Sequence, residues 1–241
     1  MDLSYILKLP AFAIMLASEL VAFNPPNPGP AKDIAVRGKY RSADLMAAIM
    51  GTSIMVSKFI VYPLHAAECV AVLAREFPSP LSNRILAALF NDPSSVERLS
   101  IRPTFIAGVA MLAVGATIRK ICYVKLGKFF TFELAVFKDH KLVTTGPYAI
   151  VRHPAYVGFH LAHAGLMLVL VLPGSYLWES GILETWWTAL LMSLWLLVIN
   201  AVHIATVRRM KGEEEVMRKK FGAEWEEWAR RTPYKLIPYV Y

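Results

Sequence analysis

The sequence predicts an all-α fold: a multi-spanning membrane helix bundle of about five transmembrane helices with a cytosolic C-terminal amphipathic helix. Of the 241 residues, 56% are hydrophobic and only 18% are charged, whereas a soluble domain carries about a quarter charged residues. Five apolar stretches approach the roughly 20 residues that a spanning helix needs. A polar segment with amphipathic periodicity follows the last of them.

The five apolar stretches end at prolines or at charged residues. They run roughly from Leu3 to Phe23, from Leu45 to Tyr62 and on toward Ala74, from Pro103 to Tyr123, from Pro154 to Leu172, and from Thr185 to Val207. A further stretch, Leu81 to Phe90, is too short to span and is expected to lie at the membrane interface. Gly108 and Gly115 in the third stretch are expected to allow close packing of neighbouring helices.

The fourth and fifth predicted spans form a hairpin whose loop, Pro173 to Glu184, contains no lysine or arginine. Basic residues flank the other ends of the spans, among them Arg119, Lys120, Arg208 and Lys211. Because cytoplasmic loops are enriched in lysine and arginine, these ends are predicted to face the cytosol. The net charge of +8 is therefore interpreted as topology and attraction to lipid headgroups, not as nucleic-acid binding.

A change in composition near Arg102 predicts two regions. Residues 1–102 are interpreted as an N-terminal transmembrane anchoring region, and residues 103–241 as a second region dense in polar groups. Glu213 to Arg231 is predicted to form the amphipathic helix. Its apolar face includes Trp225 and Trp228, which suit either the membrane interface or packing on the bundle.

Two polar blocks meet at the cytosolic mouth of the predicted hairpin. One extends from His140 to Gly158 and enters the fourth span, and the other extends from Arg209 to Gly222 and leaves the fifth. Arg209 and Glu213 are four residues apart and share a helix face, as an ordinary surface ion pair also would. At the end of a span, ionisable groups are functional candidates. A glutamate suits an ammonium and an arginine grips a carboxylate, so the pair favours a zwitterionic ligand.

The first block adds groups for an anion and for an aromatic base. Pro154 at the start of a helix leaves no N–H there to satisfy, and neighbouring N–H groups are expected to cradle an anion. Tyr148 and Tyr156 suit stacking on a base or facing a sulfonium. The residues alone therefore predict an amino-acid-like or nucleotide-like ligand.

These blocks resemble the isoprenylcysteine carboxyl methyltransferase family, within the wider group of membrane-embedded isoprenylcysteine and phospholipid methyltransferases. The resemblance covers roughly Gly108 to Tyr241. It rests on Leu126-Gly-Lys-Phe-Phe-Thr131, on Leu142-Val-Thr-x-Gly-x-Tyr148 with Arg152-His-Pro-x-Tyr-x-Gly158, on Arg209-x-x-x-Glu-Glu214 with Phe221-Gly222, and on Ile237-Pro-Tyr239.

The resemblance implies S-adenosyl-L-methionine as cofactor and the C-terminal carboxylate of a prenylated cysteine as methyl acceptor. Arg209 would bind the acceptor carboxylate, which is ionised at pH 7 and needs no general base. The implied cofactor-binding residues are Glu133, His140, Lys141, Leu142, Val143, Tyr148, His153, Pro154, Ala155, Tyr156 and Glu213. Glu133 departs from the family pattern, since glutamine is common there in animal members.

The same resemblance implies an integral protein of the endoplasmic reticulum membrane whose active site faces the cytosol. The expected partners are the lipid bilayer and prenylated CaaX-processed proteins or small prenylcysteine substrates. A phospholipid amine methyltransferase is the nearest alternative, but its amine must be deprotonated and Arg209 would disfavour that. A sterol reductase using a nicotinamide cofactor and a non-enzymatic scaffold are further alternatives.

His160 and His163 in the fourth span, spaced as His-x-x-His, raise the possibility of a metal site. No cysteine or carboxylate set accompanies them. They are interpreted instead, like His203 in the fifth span, as groups that form hydrogen bonds between helices or line a cavity, and no metal is predicted.

Overall fold

The structure, a computed structural model, describes residues 6–27, 41–132 and 139–241, with side chains from residue 48 onward in the second range. In these ranges the chain forms α-helices joined by short 3₁₀ turns. The α-helices are α1 (Lys8–Ala22), α2 (Arg41–Glu76), α3 (Pro80–Leu89), α4 (Pro103–Leu126), α5 (Pro154–Val171), α6 (Tyr176–Glu179), α7 (Trp186–Phe221) and α8 (Ala223–Arg231). The predicted all-α bundle is confirmed.

Four segments of the described chain are helical, long and apolar enough to cross a membrane. They are Ala48–Glu76, Pro103–Phe129, Pro154–Glu179 and Trp186–Phe221. They correspond to the second to fifth predicted spans. The first predicted span corresponds to α1, whose 15 residues reach about 22 Å at 1.5 Å per residue, less than the roughly 30 Å hydrocarbon core. The predicted count of five is therefore not confirmed.

The boundary predicted at Glu213 is wrong. Glu213 lies within α7, which continues without a break to Phe221. The chain then turns at Gly222, whose φ of 55° is left-handed, a conformation that glycine adopts without the steric cost of a Cβ. The amphipathic helix α8 follows this turn and is nine residues long.

The helix α3 coincides with the predicted short stretch, and its start shows why it forms there. Ser79 accepts a hydrogen bond from the Ser82 N–H at 3.0 Å, and Ser82 accepts one from the Ser79 N–H at 2.6 Å. This reciprocal capping box satisfies two N–H groups that the helix itself leaves open. Pro80 at the first helical position needs no partner for its nitrogen.

The chain divides into two compact units. The first comprises Met1–Ser18, Ile54–Ala113 and Ala162–Val198, and the second comprises Glu19–Ser53, Val114–Leu161 and Ile199–Tyr241. In the first unit, Lys8 is fully buried and pairs with Glu68 at 2.5 Å. Its ammonium also donates to the Gly174 carbonyl at 2.8 Å. The paired carboxylate and the carbonyl together offset the cost of burying the lysine.

Glycines bring α4 and α5 into backbone contact within each unit. In the first unit, a Cβ built on Gly165 would lie 2.4 Å from the Gly108 carbonyl oxygen. In the second, a Cβ on Gly158 would lie 2.6 Å from the Gly115 oxygen. Both distances are too short for any larger side chain. The close packing predicted for Gly108 and Gly115 is confirmed.

In the second unit, α8 packs on the protein through its tryptophans. Trp225 and Trp228 are about 5% exposed and cluster with Cys122 and Tyr148. The Trp228 indole N–H donates to the Tyr148 carbonyl at 3.0 Å. The interpretation that these tryptophans pack on the bundle is confirmed, and a position at the membrane interface is compatible with it and stays a prediction.

Candidate active site

The site lies in the second unit, where the start of α5 faces the last turns of α7. Proline at position 154 begins α5, and the His153 carbonyl accepts hydrogen bonds from the N–H groups of Tyr156 and Val157. This turn directs His153 and Tyr156 to the same part of α7. Both side chains reach the carboxylate of Glu213.

Three groups surround the Glu213 carboxylate. The Tyr156 hydroxyl donates to Oε1 at 2.8 Å. The Arg209 Nε lies 2.7 Å from the same oxygen, and the His153 Nδ1 lies 3.7 Å from Oε2. With its side chain 19% exposed, the carboxylate is held in one orientation and remains open to a further cation.

Arg209 is more buried than the glutamate with which it pairs, since its side chain is 6% exposed. Its Nη2 donates to the Phe132 carbonyl at 2.7 Å, and its Nη1 lies 3.9 Å from the Met50 sulfur. The pair predicted from the four-residue spacing is therefore real, but it is not a surface ion pair.

The neighbouring Glu214 forms a second ion network. Its Oε1 lies 2.7 Å from Arg152 Nε and 3.3 Å from His153 Nε2, and its Oε2 lies 3.4 Å from Lys235 Nζ. His153 thus lies between the two glutamates. Consecutive residues of a helix point about 100° apart, so each glutamate takes different partners.

The segment after α8 binds the Arg152-His153 motif through backbone carbonyls. The Arg152 Nη1 donates to the carbonyls of Thr232 and Pro233 at 2.9 and 2.7 Å. The N–H groups of Arg152 and His153 donate to the carbonyls of residues 234 and 235, both at 2.9 Å. These two N–H groups therefore do not contribute to the predicted anion cradle.

An apolar wall adjoins the charged groups. Leu142, Val143 and Ala155 pack against the buried cluster that contains Tyr148, as do Met217 and Phe221 of α7. Burial raises the pKa of Tyr148 far above its ordinary value, so its hydroxyl stays neutral at physiological pH.

His140 lies at the edge of this wall. Its ring stacks on Phe129 with centroids 4.6 Å apart and meets Phe221 edge-on at 5.8 Å. Burial lowers the pKa of His140, and the charge of Lys220 lowers it further. The imidazole is therefore neutral at pH 7 and serves as an aromatic surface.

The structure brings together most of the residues that the sequence predicts. His153, Tyr156, Arg209 and Glu213 contact one another, and Leu142, Val143, Tyr148 and Ala155 form one cluster. Pro154, between His153 and Ala155 in the sequence, is buried, whereas Lys141 is exposed. Glu133 lies outside the described residues.

Sequence reasoning did not assign roles to Arg152, Glu214, Lys235 or Arg119. The first two stand inside the quoted motifs, and their position beside His153 and Glu213 was an available signal. Lys235 is far in sequence from Glu214, with which it pairs, and Arg119 is far from Ala155, to whose carbonyl it donates. Only the folded chain brings them together.

Two of the histidines in the spans, His160 and His203, contact each other. His160 Nδ1 lies 2.5 Å from His203 Nδ1, and the Thr206 hydroxyl lies 3.4 Å from His160 Nε2. The prediction that His160 and His203 form hydrogen bonds between helices is confirmed. Among the residues that the structure describes, no group of three or more histidine, cysteine, aspartate or glutamate side chains is placed to hold a metal.

Four apolar helices of spanning length, with an ion network where two of them end, define a membrane-embedded helical protein. Residues 108–219 of this chain match the model of the Isoprenylcysteine carboxyl methyltransferase (ICMT) family. The predicted resemblance is thus confirmed over the segment that contains Tyr148, Tyr156, Arg209 and Glu213. The helices and the family match together identify an integral membrane protein.

Three relatives illustrate what the chain is similar to. A probable protein-S-isoprenylcysteine O-methyltransferase from Oryza sativa subsp. indica is 30% identical over 135 residues, which are 55% of this chain and 60% of the relative. A protein-S-isoprenylcysteine O-methyltransferase from Schizosaccharomyces pombe is 32% identical over 136 residues, 55% of this chain and 50% of the relative. A Delta(14)-sterol reductase from Mus musculus is 31% identical over 101 residues, 42% of this chain and 20% of the relative. The match thus spans between half and three fifths of the length of these two methyltransferases.

Proposed function

We propose that this chain is an S-adenosylmethionine-dependent methyltransferase acting on the C-terminal carboxylate of a prenylated cysteine, with residues 103–241 as its catalytic region. The observation that carries the proposal is the Glu213 carboxylate, oriented by Tyr156 and paired with Arg209 inside the segment that matches the family. The names of the rice and fission-yeast relatives support the same activity.

The residues of the site fit the proposed cofactor. Glu213 is a partly exposed carboxylate that suits the ammonium of an amino-acid moiety. The apolar wall of Leu142, Val143, Tyr148 and Ala155 suits an adenine ring. The other residues of the proposed cofactor-binding set are Glu133, His140, Lys141, His153, Pro154 and Tyr156. When bound, the cofactor supplies an electrophilic methyl group on a sulfonium.

The protein groups then have two tasks: to orient the acceptor and to exclude water. The acceptor carboxylate is already ionised at pH 7, so no side chain need remove a proton. Arg209 is buried and shares its charge with Glu213. It therefore orients the acceptor carboxylate without withdrawing all of its negative charge. Catalysis on this scheme comes from proximity and alignment.

The setting of the site supports a lipid-modified acceptor. The ion network adjoins helices of spanning length, so a prenyl chain can remain among apolar side chains while its carboxylate reaches Arg209. We place the protein in the endoplasmic reticulum membrane with the site facing the cytosol, where prenylated CaaX-processed proteins or small prenylcysteine compounds would be its substrates. The positive-inside pattern of the basic residues supports this orientation.

A second candidate is a reductase-like activity with NADPH. The match to the mouse Delta(14)-sterol reductase favours it, although that match covers 20% of the reductase. A nicotinamide dinucleotide carries phosphates that require cationic partners. Arg152 is held by Glu214 and by the carbonyls of Thr232 and Pro233. The Glu213 carboxylate suits an ammonium and would repel a phosphate, so the site favours the methyl donor.

The test is transfer of a labelled methyl group from S-adenosylmethionine to N-acetyl-S-farnesylcysteine in membranes that contain the protein. The expected product is a base-labile methyl ester. N-acetyl-S-farnesylcysteine has no free amine. Base-stable label in the phospholipids of the membranes would therefore replace the carboxylate acceptor with an amine, and binding of NADPH in place of S-adenosylmethionine would favour the reductase.

Two substitutions test the residue assignments. Glu213→Ala is expected to abolish cofactor binding, and Arg209→Ala is expected to abolish acceptor turnover while cofactor binding persists. Glu215→Ala and Arg208→Ala are matched controls, because both side chains are exposed on the same helix. Normal cofactor binding by Glu213→Ala would contradict the assignment of the site.

A further inference from the structure

Arg119 of α4 is a buried cation for which the described residues provide no carboxylate. It is 4% exposed. Its Nε donates to the Tyr123 hydroxyl at 2.8 Å, and its Nη1 donates to the Ala155 carbonyl at 3.0 Å. A charge buried in this way is costly within an apolar helix, so a contribution to stability does not by itself account for it.

Four aromatic rings surround the guanidinium group. Its central carbon lies between 5.3 and 5.9 Å from the ring centroids of Tyr123, Phe130, Phe132 and Phe159. The faces of aromatic rings attract cations. This arrangement holds the arginine in one place without an acidic partner from the described residues.

Arg119 contacts groups that support both Tyr156 and Arg209. The carbonyl that it holds belongs to Ala155, the residue before Tyr156, whose hydroxyl orients Glu213. The ring of Phe132 covers Arg119, and the carbonyl of the same residue accepts the hydrogen bond from Arg209. Arg119 thus bonds to the residue next to Tyr156, which would face the cofactor. It also contacts Phe132, which bonds to Arg209, the residue that would face the acceptor.

The path of Arg119 toward α5 depends on Gly158. A Cβ at this position would lie 2.8 Å from Arg119 Cγ. The glycine therefore lets the arginine cross from α4 to the first turn of α5. The hydrogen bond from Arg119 to the Ala155 carbonyl therefore depends on the close approach of α4 and α5 at Gly158.

We propose that Arg119 is a positioning residue that fixes Tyr156 and, through Phe132, Arg209 for the reaction. This inference rests on the proposed function. Both groups that form hydrogen bonds with Arg119 keep another partner without it. The Tyr123 hydroxyl also donates to the Val21 carbonyl, and the Ala155 carbonyl accepts within α5. Removing the arginine should therefore impair the site without unfolding the protein.

The test compares Arg119→Met with wild type in detergent. Equilibrium binding of labelled S-adenosylmethionine and the thermal midpoint without cofactor are both measured. Arg119→Met is expected to weaken cofactor binding about tenfold, the scale of one charge-assisted hydrogen bond, with a thermal midpoint equal to or above that of wild type. Arg119→Lys should lie between the two, because one ammonium cannot bond Tyr123 and Ala155 with the same fork geometry. Lys120→Met, an adjacent exposed cation, is the control and should bind normally.

A double-mutant cycle with Tyr156→Phe tests whether Arg119 acts through Tyr156. The combined effect on cofactor affinity should be smaller than the sum of the two single effects. The inference would be overturned if Arg119→Met bound the cofactor with wild-type affinity. It would also be overturned if the loss of affinity came only with a lower thermal midpoint and were additive with the loss in Tyr156→Phe. Failure of the wild-type protein to bind S-adenosylmethionine would instead overturn the proposed function.

Discussion

The hydroxyl of Tyr156 donates a 2.8 Å hydrogen bond to Oε1 of Glu213, a residue 57 positions further along the chain. This bond joins the first turn of α5 to the last turns of α7. His153 approaches the other carboxylate oxygen at 3.7 Å. The two polar blocks of the sequence therefore meet at one carboxylate, and its orientation depends in part on this phenol.

Tyr156→Phe tests that dependence. The variant keeps the ring but loses the donor, and S-adenosylmethionine is expected to bind about fivefold to tenfold more weakly, since a hydrogen bond to a charged group is a strong one. Equilibrium binding measures the effect. Tyr176→Phe is the control, because it removes a hydroxyl that bonds the Leu89 carbonyl at the same 2.8 Å in the other unit. Equal losses in the two variants would contradict a specific role for Tyr156.

Arg152→Ala is expected to lower the thermal midpoint by several degrees. Arg152 is 11% exposed in its ion pair with Glu214 and also donates to two carbonyls after α8. Removing one partner of a buried pair costs on the order of 3 kcal/mol, and its slight exposure should reduce that figure.

Arg230→Ala is the matched control for Arg152→Ala. Arg230 pairs with Glu227 on the exposed face of α8, where solvent screens the charges. Its thermal midpoint should stay close to that of wild type. A comparable fall in both variants would show that the network around Glu214 does not stabilise the segment after α8.

Gly165→Ala is expected to destabilise the protein by about 2 kcal/mol or more, since overpacking at a helix contact forces the backbones apart. The new Cβ would lie 2.4 Å from the Gly108 carbonyl oxygen. Gly51→Ala adds the same methyl group to α2, where nothing lies within 4 Å. It should be neutral or stabilise by about 0.5 kcal/mol, because alanine favours a helix over glycine. Chemical unfolding of both variants in detergent separates the effect of packing from that of helix propensity.

His140 predicts a pH dependence of stability. Its pKa in the folded protein lies below the ordinary 6.5, so the unfolded chain binds the proton more readily. Stability should therefore fall as the pH decreases through about 6.5 and level off below the folded pKa.

His140→Phe keeps a ring against Phe129 and removes the proton-binding group. Its thermal midpoint should fall less than that of wild type between about pH 7 and pH 5. The comparison is made within each pH, so the other histidines contribute equally to both proteins. Parallel curves for the two proteins would show that His140 does not contribute to the pH dependence.

The spanning helices could be predicted from the sequence because their signal is local. A run of apolar residues about 20 long reports a membrane helix wherever the rest of the chain lies. The end of α7 could not be read in the same way. Hydropathy falls at Arg208, but the helix continues to Phe221, because charged residues sustain a helix as well as apolar ones. Gly222 marks the true end.

The sequence grouped the predicted site residues into two blocks, but most of their contacts could not be predicted. The Arg209 and Glu213 pair follows from helix spacing alone. The bonds of Arg152 to Glu214, at a separation of 62 residues, and of Arg119 to Ala155, at 36, do not follow from any spacing. They depend on which helices meet and at what register.

The sequence by itself determined that the chain forms membrane-spanning helices and that two polar blocks stand where two of them begin and end. A helix satisfies its backbone hydrogen bonds within one segment, and the residues of that segment alone determine how apolar its surface is. Only the tertiary structure decided that Glu213 faces Tyr156 while Glu214 faces Arg152. It also decided that Arg119 contacts both Ala155 and Phe132. The first choice depends on how α7 meets the start of α5. The second depends on how closely α4 and α5 approach at Gly115 and Gly158, and no single segment encodes either arrangement.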